Sequence, residues 1–344
     1  MYNNNFEGFK KELKNKSLLR EDNLHNMKDF YVLDGKNAVV NNNLYEMTNS
    51  FHYGLSKKLQ IPFNFYNRIK AEEPRLYEKT VNVLNKTDKT QLFRSHKIKK
   101  NFKFKNLIRG QSRGSLRALL SDRYKIIDNQ EVIKHLEPLF ENNKFVLLSA
   151  YQDENIMSMK IRFPSLIGSV RQGDTVFGGI YLRNSEVGRS SLTITGLIYR
   201  LVCTNGLMLP NTESIANTFH LGAKNEIGTN PNYIIPQVAI EKVDSVIEQL
   251  FNKHIFQDNI NKLRETTLQT FKKVNYEKIK EIYQTTEQEE EFIKEELEKE
   301  KDYTLYGLIQ AFTSSARRIK NIQRSLYFER IGGSLMNNSN KVIA

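Results

Sequence analysis

Residues 144–209 read KFVLLSAYQDENIMSMKIRFPSLIGSVRQGDTVFGGIYLRNSEVGRSSLTITGLIYRLVCTNGLML, and their apolar residues recur with a period of two. Phe145, Leu147 and Tyr151 alternate with other residues until Gln152-Asp153-Glu154-Asn155 turns the chain. Met157, Met159, Ile161 and Phe163 return as a partner strand. A third strand is expected over about Thr175–Arg183 and a fourth over about Ser190–Cys203, separated by the loop Asn184–Gly188. This predicts a four-stranded antiparallel meander in an α+β fold. An alternating strand set needs a cover on its apolar face. The first long helical pattern downstream, beginning near Val238, is the nearest element to supply it.

Working outward, the pattern on both sides is helical. Asp128 with Glu131 three residues on reads as a helix start, with Val132, Ile133, Leu136 and Leu139 on one side. Residues 1–30 read as loosely helical, and a further helix begins at Ile61-Pro62, where a first-turn proline costs no hydrogen bond. Short strand-like pieces lie at 30–40, broken by Asp34-Gly35 and Asn41–Asn43. After Pro236, Val243 to Val274 keep helical spacing, and Leu305 to Leu326 form a last amphipathic helix that Gly332-Gly333 should stop. We therefore expect three regions: 1–110, mixed helical and ending in a basic segment; 111–235, the sheet core; and 236–344, helical.

The chain has 344 residues, 52 Lys+Arg against 39 Asp+Glu, a net charge of +13 and one cysteine, Cys203. One cysteine excludes an internal disulfide framework and a paired-cysteine metal site, and suits a reducing cytoplasm. Cys203 itself, at the end of an apolar strand, reads as a small core residue. No apolar run approaches the ~18 residues of a spanning helix, so neither membrane nor secretion is expected. The positive excess points to a polyanionic partner. It is concentrated in residues 91–125, which hold eleven basic residues and one acid, Asp122. Lysine and arginine neutralise phosphates, and aromatic rings stack single-stranded bases. The candidate nucleic-acid contacts are Arg94, Lys97, Lys99, Lys100, Lys103, Phe104, Lys105, Arg109, Arg113, Arg117, Arg123 and Tyr124. Arg183 and Arg189 join them across the loop between the third and fourth strands. The plainer reading is a half-buried strand whose phenylalanines enter the core, and it is the better one for the aromatics.

Other chemistry is thin. Gly110–Ser115 is no Walker loop, since no GKS or GKT follows it. The six histidines are scattered. Asp153, Glu154, Asp174 and Glu186 lie on loops around the expected sheet, where a metal-dependent nuclease would need converging carboxylates. Gly178-Gly179, in mid-strand, reads as a bulge or a close backbone approach. No cofactor and no catalytic residue are expected. Residues 287–302 carry nine carboxylates against three lysines. They read as a solvated helix face, or else as a complement to 91–125 in head-to-tail subunit packing.

Two blocks carry a resemblance: Arg117–Tyr124 with Ile127-Asp128-Asn129, and Leu182–Ser185 followed by Tyr199–Leu207. With Gln60–Tyr66 and Thr304–Leu308 they resemble the "domain of unknown function 932" family of phages and plasmids, over about residues 45–330. The resemblance implies a phage or plasmid gene, often near DNA-metabolism or anti-defence genes, and brings no catalytic residues. A looser similarity, at the level of fold, is to phage single-strand annealing proteins, which oligomerise with DNA in a basic groove. Together these readings predict a cytoplasmic protein that binds single-stranded DNA with little regard for sequence. It would anneal strands without nucleotide hydrolysis, as a homo-oligomeric ring or filament. The alternatives are an inhibitor that binds a host defence complex and a metal-dependent nuclease.

Overall fold

Alternation along 146–208 does form a sheet, and in the computed structural model it has five strands. The structure describes residues 5–17, 20–87, 92–99, 114–120, 126–142, 144–201, 205–209, 243–337 and 343. Strands β7 (Val146–Gln152), β8 (Met157–Ser169), β9 (Thr175–Asn184), β10 (Thr193–Arg200) and β11 (Asn205–Met208) pair in chain order, each antiparallel to the next. The fifth strand, Asn205–Met208, lies just beyond the fourth strand expected over about Ser190–Cys203. Residues 202–204, with Cys203, lie outside the described residues.

One face of this sheet is the core. Met157, Met159, Ile161 and Phe163 of β8 join Val176, Ile180 and Leu182 of β9, Ile194 and Ile198 of β10, and Leu207 of β11. No single long helix covers them. Five strands ~4.8 Å apart span about 19 Å, roughly twice the width of a helix. The cover is shared by α1 (Phe6–Ser17), α5 (Asn129–Glu141), α6 (243–250), α7 (Lys253–Thr267) and α10 (Leu305–Ser315). The helix expected from Val238 is broken at 251–252, where the Asn252 side chain accepts from the His254 and Ile255 N–H groups and starts α7 anew. Gly179 is where β8 and β9 approach too closely for a side chain. A Cβ there would lie 2.2 Å from the Ile161 carbonyl oxygen.

The first 120 residues hold a sheet as well as the helices the pattern predicts. They hold a second, mixed sheet in the order β1 (Arg20–Asn26), β5 (Leu92–Lys99), β6 (Gly114–Leu120), β4 (Asn43–Met47), β3 (Asn37–Val40), β2 (Phe30–Val32). Only β4 and β6 run parallel. Strands of three to five residues are too short to show a period, and β1 (REDNLHN) is almost wholly polar. Because β6 belongs to this sheet, a boundary at 110/111 would cut it. Phe51 and Leu55 of α2 (Asn49–Lys58), Tyr66 and Ile69 of α3 (Phe63–Glu72) and Tyr77 and Val81 of α4 (Pro74–Thr87) pack on it.

Within that core His52 Nδ1 lies 2.9 Å from the Tyr66 hydroxyl, which lies 2.6 Å from the Tyr77 hydroxyl. Burial, aided by the charge of Lys70, pulls the imidazole down to about 3. Its unfolded value is 6.5, so the unfolded chain binds the extra proton in between. Stability is therefore whole above pH 6.5 and falls as the pH drops toward 3, by up to about 1.4 kcal/mol per unit. Urea unfolding at pH 7, 6 and 5 checks this. His52→Gln should flatten the trend.

The acidic run forms α9 (Glu287–Glu300), opened by a capping box between Thr286 and Glu289. It is only partly a solvated face. Glu289 and Glu296 are buried, and Arg324 donates to both Glu289 oxygens at 2.7 and 2.8 Å. Burial raises the Glu289 carboxyl, but the Arg324 bonds outweigh this and hold it below its usual range. Glu300 accepts from Arg200. These carboxylates are engaged within the chain, so charge reversal at Glu289 would act on folding. We expect Glu289→Lys to cost about 3 kcal/mol or more, read as a lowered melting temperature. The last helical pattern is two helices, α10 and α11 (Ile322–Leu335), joined by a 3-10 turn at Ala316–Arg318. Gly332 and Gly333 lie inside α11 and do not stop it. A Cβ on Gly332 would sit 2.7 Å from Thr313 Cγ2, so the glycine lets α11 close on α10.

Candidate nucleic-acid interface

Alternation that sends Met157, Met159 and Ile161 into the core sends Ser158, Lys160 and Arg162 to the opposite face. Cross-strand register then builds rungs on that outer face. Tyr151, Ser158, Arg183 and Thr193 form one; Ser149, Lys160, Tyr181 and Thr195 the next; Arg162, Gly179, Leu197 and Met208 the third; Phe177, Tyr199 and Gly206 the fourth. Three successive rungs thus each carry a cation, and successive rungs stand ~6.6 Å apart, about the length of an extended nucleotide. Gly179 leaves a gap that the Arg162 guanidinium crosses to lie 4.5 Å from the centre of the Phe177 ring. Lys160, Arg162, Phe177 and Arg183 are half-buried, and the Nε atoms of Arg162 and Arg183 are buried without a hydrogen-bond partner. Leu326 and Ile322 of α11 cover part of this face, packing with Leu148 of β7, Tyr181 of β9, Leu197 of β10 and Met208 of β11, and Glu329 of the same helix reaches Lys160 of β8. The result is a cationic and aromatic sheet surface.

The sequence-derived contacts that are described are not gathered here. Arg94, Lys97 and Lys99 lie on β5, in the other sheet. Lys100, Lys103, Phe104, Lys105, Arg109, Arg113, Arg123 and Tyr124 lie outside the described residues. Arg117 is 3% exposed, and its Nη1 donates to Glu186 Oε2 at 2.7 Å while Nε and Nη2 donate to the Glu154 carbonyl. Its guanidinium is turned inward, away from any phosphate. Arg189 stacks 3.7 Å from the centre of the Tyr53 ring on α2. Of the named residues that are described, Arg183 alone stands on the outer face, and Lys160, Phe177 and Tyr199 stand there without having been named. The signal was present: they occupy the positions that alternate with the core set.

Arg117 belongs to a polar joint between the two sheets. Glu186 Oε1 accepts from the Asn129 N–H at 2.9 Å, at the start of α5. Asn184 donates to the Ile127 carbonyl and to Asn129 Oδ1, both at 2.8 Å. Ser185 donates to the Asn155 carbonyl, and the Asn155 side chain meets Ser50 of α2. Residues 117, 127–129 and 182–185, which carry the resemblance, thus meet in one buried cluster. A second tie fixes the C-terminal helices. Asp174 accepts from Arg200 and from the Tyr306 hydroxyl, both at 2.7 Å, and Asp302 accepts from Arg171.

The carboxylates considered for metal chemistry are separated among these tasks. Asp153 holds its own turn through the Asn155 and Ile156 N–H groups, Asp174 meets Arg200, and Glu186 meets Arg117. Among the described residues no three or more His, Cys, Asp or Glu side chains gather where they could hold a metal ion. No described helix is long and apolar enough to cross a membrane.

The fold and this surface define an α+β protein whose antiparallel sheet is helix-covered on one side and half-open and cationic on the other. The model of the family described as Domain of unknown function (DUF932) matches residues 118–330, more than half of the chain, and the chain belongs to that family. The matched span runs from β6 to α11 and takes in the whole five-stranded sheet with most of its helical cover. No curated protein and no solved structure matches the chain.

Proposed function

We propose that this is a sequence-tolerant single-stranded DNA-binding protein of a phage or plasmid, acting in strand annealing or recombination without nucleotide hydrolysis. The observation that carries the reading is Arg183 and Arg162 on one sheet face beside Phe177 and Tyr199, with Lys160, paired to Glu329, on the rung between them. Cations at nucleotide spacing neutralise successive phosphates, and rings beside them stack bases of any identity. The chain's net charge of +13 supports a polyanionic partner.

Annealing needs several subunits aligned along one strand, and a head-to-tail contact closes into a ring or runs on as a filament. Light scattering and electron microscopy across salt, with and without oligothymidylate, test this. The reading expects a multi-subunit assembly promoted by the oligonucleotide. A monodisperse monomer under all conditions would overturn annealing. A protein without salt-sensitive affinity for bare DNA would instead fit the inhibitor of a host defence complex.

A further inference from the structure

Where the 3-10 turn and α11 come over the outer face, they leave a groove of about 500 Å³ beside the cationic rungs. That volume lies within the ~300–1,000 Å³ of small-molecule pockets. Lys160, Tyr199, Ile319, Lys320, Ser149 and Glu329 line it. Glu329 is 3% exposed. Its Oε1 accepts from Lys160 Nζ at 2.6 Å, while its Oε2, also buried, has no hydrogen-bond partner. An unpaired buried carboxyl oxygen is costly, and a ligand donor would relieve it.

Resting on the single-strand reading, we propose that this groove receives one base of the bound strand. Every base carries a hydrogen-bond donor next to an acceptor on its edge, so each can give to Glu329 Oε2 and accept from the Lys160 ammonium. Tyr199 and Ile319 supply an aromatic and an apolar wall, which favour a flat ring and do not choose among bases. Lys320, exposed at the groove, is placed for the adjoining phosphate. The pocket thereby adds a hydrogen-bonded base subsite to a surface that otherwise holds bases by stacking alone. It widens the margin by which the protein prefers an intact strand to a bare sugar–phosphate chain.

The experiment compares binding of oligothymidylate and an abasic oligonucleotide of equal length to the full chain and to two variants. Ser149→Trp fills the groove from β7. Glu329→Gln keeps the size and the Lys160 contact but exchanges the unpaired oxygen. Circular dichroism and melting verify that each variant is folded. The preference for the intact strand should fall about tenfold in Ser149→Trp and several-fold in Glu329→Gln. An unchanged preference in both folded variants overturns the base subsite while leaving strand binding intact. No binding of either oligonucleotide by the unmodified chain overturns the single-strand reading itself, and the subsite with it.

Discussion

Glu186→Ala should destabilise the protein by about 3–5 kcal/mol, the usual cost of leaving a buried charge without its partner. Glu186 is 1% exposed and faces Arg117, which is 3% exposed on a strand of the other sheet. Removing the carboxylate strands the guanidinium and also frees the Asn129 N–H at the first turn of α5. Glu186→Gln, which keeps an acceptor for that N–H but not the charge, should fall between the variant and the unmodified chain. Urea unfolding at pH 7 measures both. A loss below about 1 kcal/mol for Glu186→Ala would mean that the sheets are held together by other contacts. Since the cluster combines the segments through which the chain resembles its family, we read it as the joint that sets the two sheets.

The second large effect separates charge from stacking on the outer face. Each phosphate contact on a single strand contributes about 0.7 to the slope of log K against log salt. Replacing both Arg162 and Arg183 by Gln should flatten that slope by about 1.4. Phe177→Ala should leave the slope as it was and weaken binding by roughly 5- to 150-fold, the equivalent of ~1–3 kcal/mol per stacked base. Lys160 is unsuited to this test, because its loss would leave the Glu329 carboxyl buried without its cation. Folded Arg162 and Arg183 variants with an unchanged slope would remove the sheet face from the interface.

Much of the five-stranded sheet was legible because its strands are long and alternate: Met157, Met159, Ile161 and Phe163 give the inward face directly. Of the N-terminal sheet, the pieces at 30–40 that became β2 and β3 were legible, but β1, with scarcely any apolar residues, and the sheet as a whole were not. Cover by several helices was hidden too, because apolar residues at helical spacing on both sides of Asn252 read as one run until the cap that Asn252 makes is seen. Gly332-Gly333 carried a stop signal that close packing on Thr313 overrides.

For the site, charge density drew the reading to 91–125, much of which lies outside the described residues, while an alternating strand discloses its solvent side by what lies between the core residues. Arg117 and Arg200 show the limit of counting charge. Each looks like a surface cation in the sequence and is buried against distant carboxylates, Arg117 against Glu186 69 positions away and Arg200 against Asp174 and Glu300, 26 and 100 positions away.

The most direct test of the central claim is ultraviolet cross-linking of bound oligothymidylate, with the attached residues located by mass spectrometry. The account predicts cross-links at Phe177 and Tyr199, reduced by high salt and by the Arg162 and Arg183 substitutions. Cross-links confined to α2, α3 and α4, with none on β8, β9 or β10, would contradict it.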